Sequence, residues 1–307
     1  MNNASPPRPQ TPDAMRRADW LRLLILSLLW GGSFFFIEIA VPHLPALTIV
    51  WARVTLAAGV LALVLAATRT PFPPRQVWPA LLVMGTLNNA LPFTAFVLAQ
   101  GQITGALASI LNATTPLFTL LVAAVLSREE RLTPARIGGL GLGLGGVAVM
   151  VGGAAATGGV ATALPYLLCL GAALSYAFAS VWGRQFYKMG LTPITTAFNM
   201  LAASALITAP LAAVIDRPWT LPAPPAIAFA AIAAMAVLST ALAYLLYFRL
   251  LADAGAVNVA LVTFLVPASA IALGIMILGE SVLPRHLAGL ALILVGLALI
   301  DGRLMRR

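Results

Sequence analysis

Ten stretches of this chain each run for about the length a helix needs to cross a lipid hydrocarbon layer, roughly 20 residues, and most of the charge lies between them. They are residues 21–41, 47–68, 77–99, 104–126, 137–153, 164–186, 192–214, 226–250, 257–278 and 287–301. Charged residues make up 9% of the sequence and hydrophobic ones 61%, against a charged share of about 25% in soluble globules. The fold class that follows is an all-α, multi-pass membrane protein with ten transmembrane helices, whose first partner is the lipid bilayer.

The positions of lysine and arginine set the expected orientation. With the N-terminus inside, the inner segments hold Arg8, Arg16, Arg17, Arg22, Arg69, Arg75, Arg128, Arg131, Arg136, Arg184, Lys188, Arg249, Arg303, Arg306 and Arg307, and the outer loops only Arg217 and Arg285. Both termini are therefore expected in the cytoplasm, and residues 1–19, proline-rich and polar, read as a disordered cytoplasmic segment. The first apolar run is too long for a signal-peptide core and stays as a span. The net charge of +9 is spread between apolar runs instead of forming one patch, so it reports topology and not a nucleic-acid partner.

The sequence also repeats. The run TGALASILNATTPLFTLLVAAVLSREERLTPARIGGLGLGLGG, Thr104 to Gly146, returns 151 residues later, bringing Pro116 onto Pro267, Glu129 onto Glu280, Leu132 onto Leu283, Gly138 onto Gly289 and Gly145 onto Gly296 without a gap. Shared prolines and glycines coincide less readily than general hydrophobicity, so the pattern reads as an internal duplication. Residues 21–153 form the first copy and 164–303 the second, joined by the uncharged linker Gly152 to Ala163. Five spans per copy invert the second relative to the first, an arrangement of secondary transporters in which the binding site lies near the bilayer midplane between the halves.

Candidate site residues follow from that depth. A proline deprives the carbonyl four residues back of its helical partner, so Pro116 is expected to free the carbonyl of Asn112, and Pro267 that of Thr263, toward a cavity. In the third span Asn88 and Asn89 lie about halfway across, with Pro92 behind them. The helical stripe Asn89, Phe93, Phe96, Gln100 maps by the same offset onto Thr240, Tyr244, Tyr247 and Leu251. Trp30, Ser33 and Phe34 of the first span and Tyr176 and Trp182 of the sixth add aromatic and hydroxyl groups. Glu38 and Arg53 lie inside spans at comparable depth near the outer end, where a charge is costly and marks function by default; they read as an ion pair or as gating or coupling groups. No charge is expected at the midplane. Glu129, Glu130 and Glu280 read as anchors at helix ends, and the glycines of the fifth span as helix packing.

Other chemistries find little support. The single cysteine, Cys169, and two histidines, His43 and His286, form no disulfide framework and no metal site on their spacing. No cofactor is expected, and no midplane Ser/His/Asp set suggests an enzyme. Each polar patch is confined to mid-helix and bounded by Leu and Phe, unlike a channel's continuous polar stripe.

The quoted residues resemble the EamA-type branch of the drug/metabolite transporter superfamily: Trp30-Gly31 in the first span, Arg53 in the second, Pro116 and Pro267 in the fourth and ninth, and Gly279-Glu280, or its variant Arg128-Glu129, before a glycine-rich helix. The second copy has no arginine matching Arg53. The resemblance implies ten helices around a central cavity walled by spans 1, 3, 4, 6, 8 and 9 that opens alternately to either side. It is closest in pattern to bacterial amino-acid exporters of the plasma membrane. The expected substrates are apolar or aromatic amino acids, held by Asn88, Asn89, Asn112 and the freed carbonyls. The alternative is a proton-coupled exporter of lipophilic cations using Glu38, which requires that Arg53 not hold Glu38. The oligomeric state is open, a monomer being sufficient.

Overall fold

The computed structural model describes residues 15–70, 73, 75–126 and 133–301, excepting the side chains of 152–160, 187, 256 and 257. Among these residues there is no strand. Nine helices of the described residues are long and apolar enough to cross a membrane: α1 (Arg17–Ala40), α2 (Ala46–Ala67), α3 (Arg75–Gln100), α4 (Gly105–Leu126), α5 (Pro134–Val151), α6 (Ala161–Phe186), α7 (Pro193–Asp216), α8 (Ala226–Gly255) and, after the shorter apolar helix α9 (Val262–Leu278, 17 residues), α10 (Pro284–Asp301). Their outward faces are apolar, with Leu63, Val125 and Met276 each more than 70% exposed. In water such surfaces would drive association; on a multi-pass membrane protein they meet lipid.

The stretch expected as a linker behaves differently. Its backbone is helical, and α5 and α6 are parts of one helical run, Pro134–Lys188. The segment contains no proline before Pro165, and its alanines favour the helix that its four glycines, at about 1 kcal/mol each, weaken without breaking. Three spans carry irregular turns instead. A π-turn occupies Thr86–Ala90 in α3, a second Val237–Leu242 in α8 and a third Ala212–Asp216 at the end of α7. Thr86 and Val237 stand 151 residues apart, the spacing of the sequence repeat.

The expected matching breaks at Pro116 and Pro267 are not equivalent. In α4 the helix is interrupted at residues 113–114, and Pro116 sits in the first turn of the resumed helix Thr115–Leu126, where its missing N–H has no helical acceptor to lose. Pro267 lies inside the continuous helix α9. The chain there turns earlier, at Gly255, whose φ of 78° suits a residue without Cβ, and again at residues 260–261.

Helices approach closely where side chains are small. Along α5 and α10, a Cβ on Gly296 would come within 2.9 Å of the backbone nitrogen of Gly143, and one on Gly289 within 2.9 Å of the Gly146 carbonyl oxygen. Gly138, Gly141 and Gly145 face open space, so half of the fifth span's six glycines serve helix contacts. Ser269 of α9 donates to the Ser27 carbonyl of α1 at 2.7 Å, and Ser204 of α7 donates to the Gly85 carbonyl of α3 at 2.8 Å. Among buried groups such bonds lock adjacent helices, each contributing about 0.6–2 kcal/mol in lipid.

Candidate functional site

Near the middle of the bundle α2, α3 and α8 meet in a polar cluster. The π-turn of α3 presents two consecutive asparagines to one neighbour: Asn88 Nδ2 donates to Tyr244 Oη at 3.0 Å, and Tyr244 Oη donates to Asn89 Oδ1 at 3.2 Å. A regular α-helix places consecutive residues 100° apart, and the π-turn relaxes that constraint. Asn88 Nδ2 also reaches Met200 Sδ of α7 at 3.7 Å, and Ser175 of α6 donates to the Leu87 carbonyl inside the turn at 2.7 Å. Asn89 is fully buried, and its Nδ2 has no partner among the described residues.

Arg53 enters the same cluster. Its Nε donates to Thr240 Oγ1 at 3.0 Å, and its guanidinium lies over the Phe93 ring, 3.7 Å from the centroid. Thr240 Oγ1 in turn donates to the Met235 carbonyl at 2.9 Å. Of the two readings of Arg53 and Glu38, the ion pair is therefore overturned, as is the expectation of an uncharged middle. A long side chain carries its charge several ångströms from its Cα, and here it runs toward α3 and α8. Among the described residues no carboxylate pairs with Arg53.

Aromatic rings pack beside this cluster. Trp30 packs on Tyr247 with centroids 5.5 Å apart, Phe34 meets Phe96 edge-on at 5.4 Å, and Phe96 stacks on Tyr176 at 6.3 Å. Phe248 joins through Tyr244 and Tyr247. The structure thus groups Trp30, Phe34, Arg53, Asn88, Asn89, Phe93, Tyr176, Thr240, Tyr244 and Tyr247. Ser33 is buried beside Phe34 without a described hydrogen bond.

Other expected residues stand elsewhere. Trp182 is 37% exposed, and its indole N–H is committed to the Ala80 carbonyl at 3.0 Å. The Asn112 carbonyl is not left for a ligand, because Thr115 Oγ1 donates to it at 2.7 Å. The counterpart of Thr115 at the repeat spacing is Val266, which has no hydroxyl to cap Thr263. Pro116 borders a separate hollow of about 190 Å³ with Thr119, Leu120, Arg136 and Arg184, and Pro267 is buried within α9.

Glu38 belongs to a third region. It accepts from Gln100 Nε2 at 3.1 Å, whose other bond goes to the Phe34 carbonyl at 2.8 Å, and it lines an open cleft of about 400 Å³ with Gln102, Thr104, Ser281 and His286. Glu280 lies at the edge of this region and caps α4, its Oε1 and Oε2 accepting from the backbone N–H of Gly105 at 3.2 Å and Ala106 at 3.0 Å. Thr104 Oγ1 takes the Leu107 N–H, so the N–H groups of the first three helical residues are satisfied, and the Thr104 carbonyl takes the first regular helical bond, from the Ala108 N–H. Glu280 anchors another helix and not the end of its own; Glu129 and Glu130 lie outside the described residues.

One set of residues escaped the sequence reading. At the opposite end of α1 from Glu38, Arg22 bridges Asp19 at 3.0 Å and Asp253 of α8 at 2.7 Å, with Arg16 on Asp19 and Arg249 3.5 Å from Asp253. The available signal was that both acids fall at span ends expected on the same membrane face.

The comparisons agree on the class of molecule. The chain is 28% identical over 288 residues to the uncharacterized transporter YvbV of Bacillus subtilis (strain 168), covering 92% of this chain and 90% of that protein. It is 26% identical over 280 residues to the uncharacterized inner membrane transporter YedA of Escherichia coli (strain K12), with 91% and 89% covered. A protein of Salmonella typhimurium named a probable amino-acid metabolite efflux pump is 26% identical over 297 residues, with 92% and 94% covered. A solved crystal structure superposes with a TM-score of 0.67 at 20% identity over 95% of this chain and all of that one, which establishes the likeness of fold. With matches over residues 20–152 and 163–301, the chain belongs to the EamA-like transporter family.

Proposed function

We propose that this protein exports apolar and aromatic amino acids across a bacterial plasma membrane by alternating access. Ten spans form two inverted halves, residues 21–153 and 164–303, with both termini in the cytoplasm, and the halves rock around the central cluster. One observation carries the reading: side chains of both matched segments converge near mid-span on a site that is polar on one side and aromatic on the other. Asn88, Asn89 and Arg53 of the first segment meet Thr240 and Tyr244 of the second, beside Trp30, Tyr176 and Tyr247. A zwitterion with an apolar side chain matches that division. The recurrence of the π-turn at the repeat spacing and the name of the Salmonella relative support it.

Purified protein in proteoliposomes should take up phenylalanine or leucine saturably and exchange it against internal substrate. Undetectable uptake of neutral amino acids together with rapid entry of a phosphorylated sugar would reverse the assignment. A second reading, proton-coupled export of lipophilic cations through Glu38, has gained its precondition, since Glu38 is bonded to Gln100 and not to Arg53. Its cationic substrate would, however, have to sit beside a fixed guanidinium.

A further inference from the structure

Arg53 is 5% exposed, and a guanidinium carries five N–H groups. One is spent on Thr240. The four on Nη1 and Nη2 have no hydrogen-bond acceptor among the described residues, and the ionisable groups that act on the charge are the phenols of Tyr176 and Tyr244. Neither phenol is an anion at neutral pH. An isolated charge held in a low-dielectric interior costs several kcal/mol, and a bundle that keeps one has a use for it.

The hydrogen-bond inventory around the charge is lopsided. The Thr240 proton goes to Met235 and the Tyr244 proton to Asn89. Asn88 Nδ2 is occupied by Tyr244 and Met200, while the fully buried Asn89 Nδ2 has no acceptor among the described residues. What the cluster lacks is a group that accepts several hydrogen bonds and carries negative charge. A carboxylate does both, with two oxygens spaced for the parallel N–H pair of a guanidinium edge. The contact over Phe93 holds the face of the guanidinium against a ring, and the Nη edge has no hydrogen bond to the described residues.

We propose that Arg53 receives the carboxylate of the transported molecule through its Nη edge, with Asn89 Nδ2 as a second donor. The assignment rests on the export reading and sharpens it: the obligatory feature of the substrate is the carboxylate and not the ammonium. Arg53 is then a binding residue and not a partner of Glu38. A substrate anion beside it completes a charge pair in a site that is otherwise electrostatically open.

The two halves of phenylalanine separate the contributions. In wild-type proteoliposomes 3-phenylpropionate, which lacks the amine, should compete with labelled phenylalanine, and phenethylamine, which lacks the carboxylate, should not. Arg53→Gln should weaken apparent affinity for phenylalanine about ten- to hundredfold, the worth of a hydrogen bond to a charged group, and Arg53→Lys should recover part of it. Thermal unfolding in detergent gives a readout free of transport: 3-phenylpropionate should raise the wild-type midpoint and leave that of Arg53→Gln unmoved. Equal competition by phenethylamine, or equal stabilisation of Arg53→Gln, would overturn the proposal with export intact. Stabilisation by the acid without any amino-acid flux would overturn the export reading and leave the anion site standing.

Discussion

Single side chains were legible where the repeat doubled the signal. The stripe Asn89, Phe93 and its echo Thr240, Tyr244 came from sequence spacing alone, and the structure joins them crosswise. Asn89 bonds Tyr244, and Thr240 bonds the arginine that lies over Phe93. Arg53 was misplaced because a sequence reports the depth of a Cα, and the guanidinium ends several ångströms from it, against Phe93 of α3 and Thr240 of α8. The Asn112 carbonyl was misread for a related reason: Pro116 removes one donor, and the hydroxyl of Thr115, one residue nearer, replaces it. Glu38 can be tested at this scale. If it carries a coupling proton, Glu38→Gln should abolish the dependence of uptake on a pH gradient while 3-phenylpropionate still stabilises the protein. A flux that keeps its gradient dependence in the variant would make Glu38 a structural partner of Gln100.

At the scale of helices, span positions were readable from apolar length, since roughly 20 uncharged residues admit few alternatives. The irregular turns were not. The α3 π-turn precedes Pro92, but its counterpart in α8 arises with Ala243 at the matching position, so no residue type announces it. The start of α4 shows what a single remote carboxylate does for an element. Glu280 takes two N–H groups that lipid or a narrow cleft would leave unpaired, and its charge faces the positive end of the helix. Glu280→Ala should lower stability by about 0.5–2 kcal/mol, the usual cost of losing an N-terminal cap, seen as a lower midpoint of thermal unfolding in detergent. Glu280→Gln keeps acceptor oxygen without the charge and should fall between. A midpoint unchanged in Glu280→Ala would mean that water in the adjacent cleft caps α4 as well as the carboxylate does.

Across the whole molecule, α1 connects two unlike ends. Glu38 borders the open cleft, and Arg22, about 24 Å away at 1.5 Å per residue, ties α1 to α8 through Asp253 and to its own first turn through Asp19. One end of α1 is tied to α8 by ionic contacts and the other borders an open cleft; under the proposed alternating access, a single conformer is expected to open to one side. The Arg22–Asp253 pair is partly exposed, so its worth is about 1 kcal/mol at most, enough to move a two-state equilibrium about fivefold. Asp253→Asn should therefore favour the conformer open at the bridged end. With Cys169 replaced by serine and a reporter cysteine at Ser33, labelling by a membrane-impermeant maleimide from that side should rise severalfold, and labelling from the cleft side should fall. Salt screens the pair, so high ionic strength should shift the wild type in the same direction and leave Asp253→Asn where it is. Labelling rates indifferent to both the variant and the salt would show that the bridge holds α1 and α8 together in every conformer, and that the closing of this end is the work of other residues.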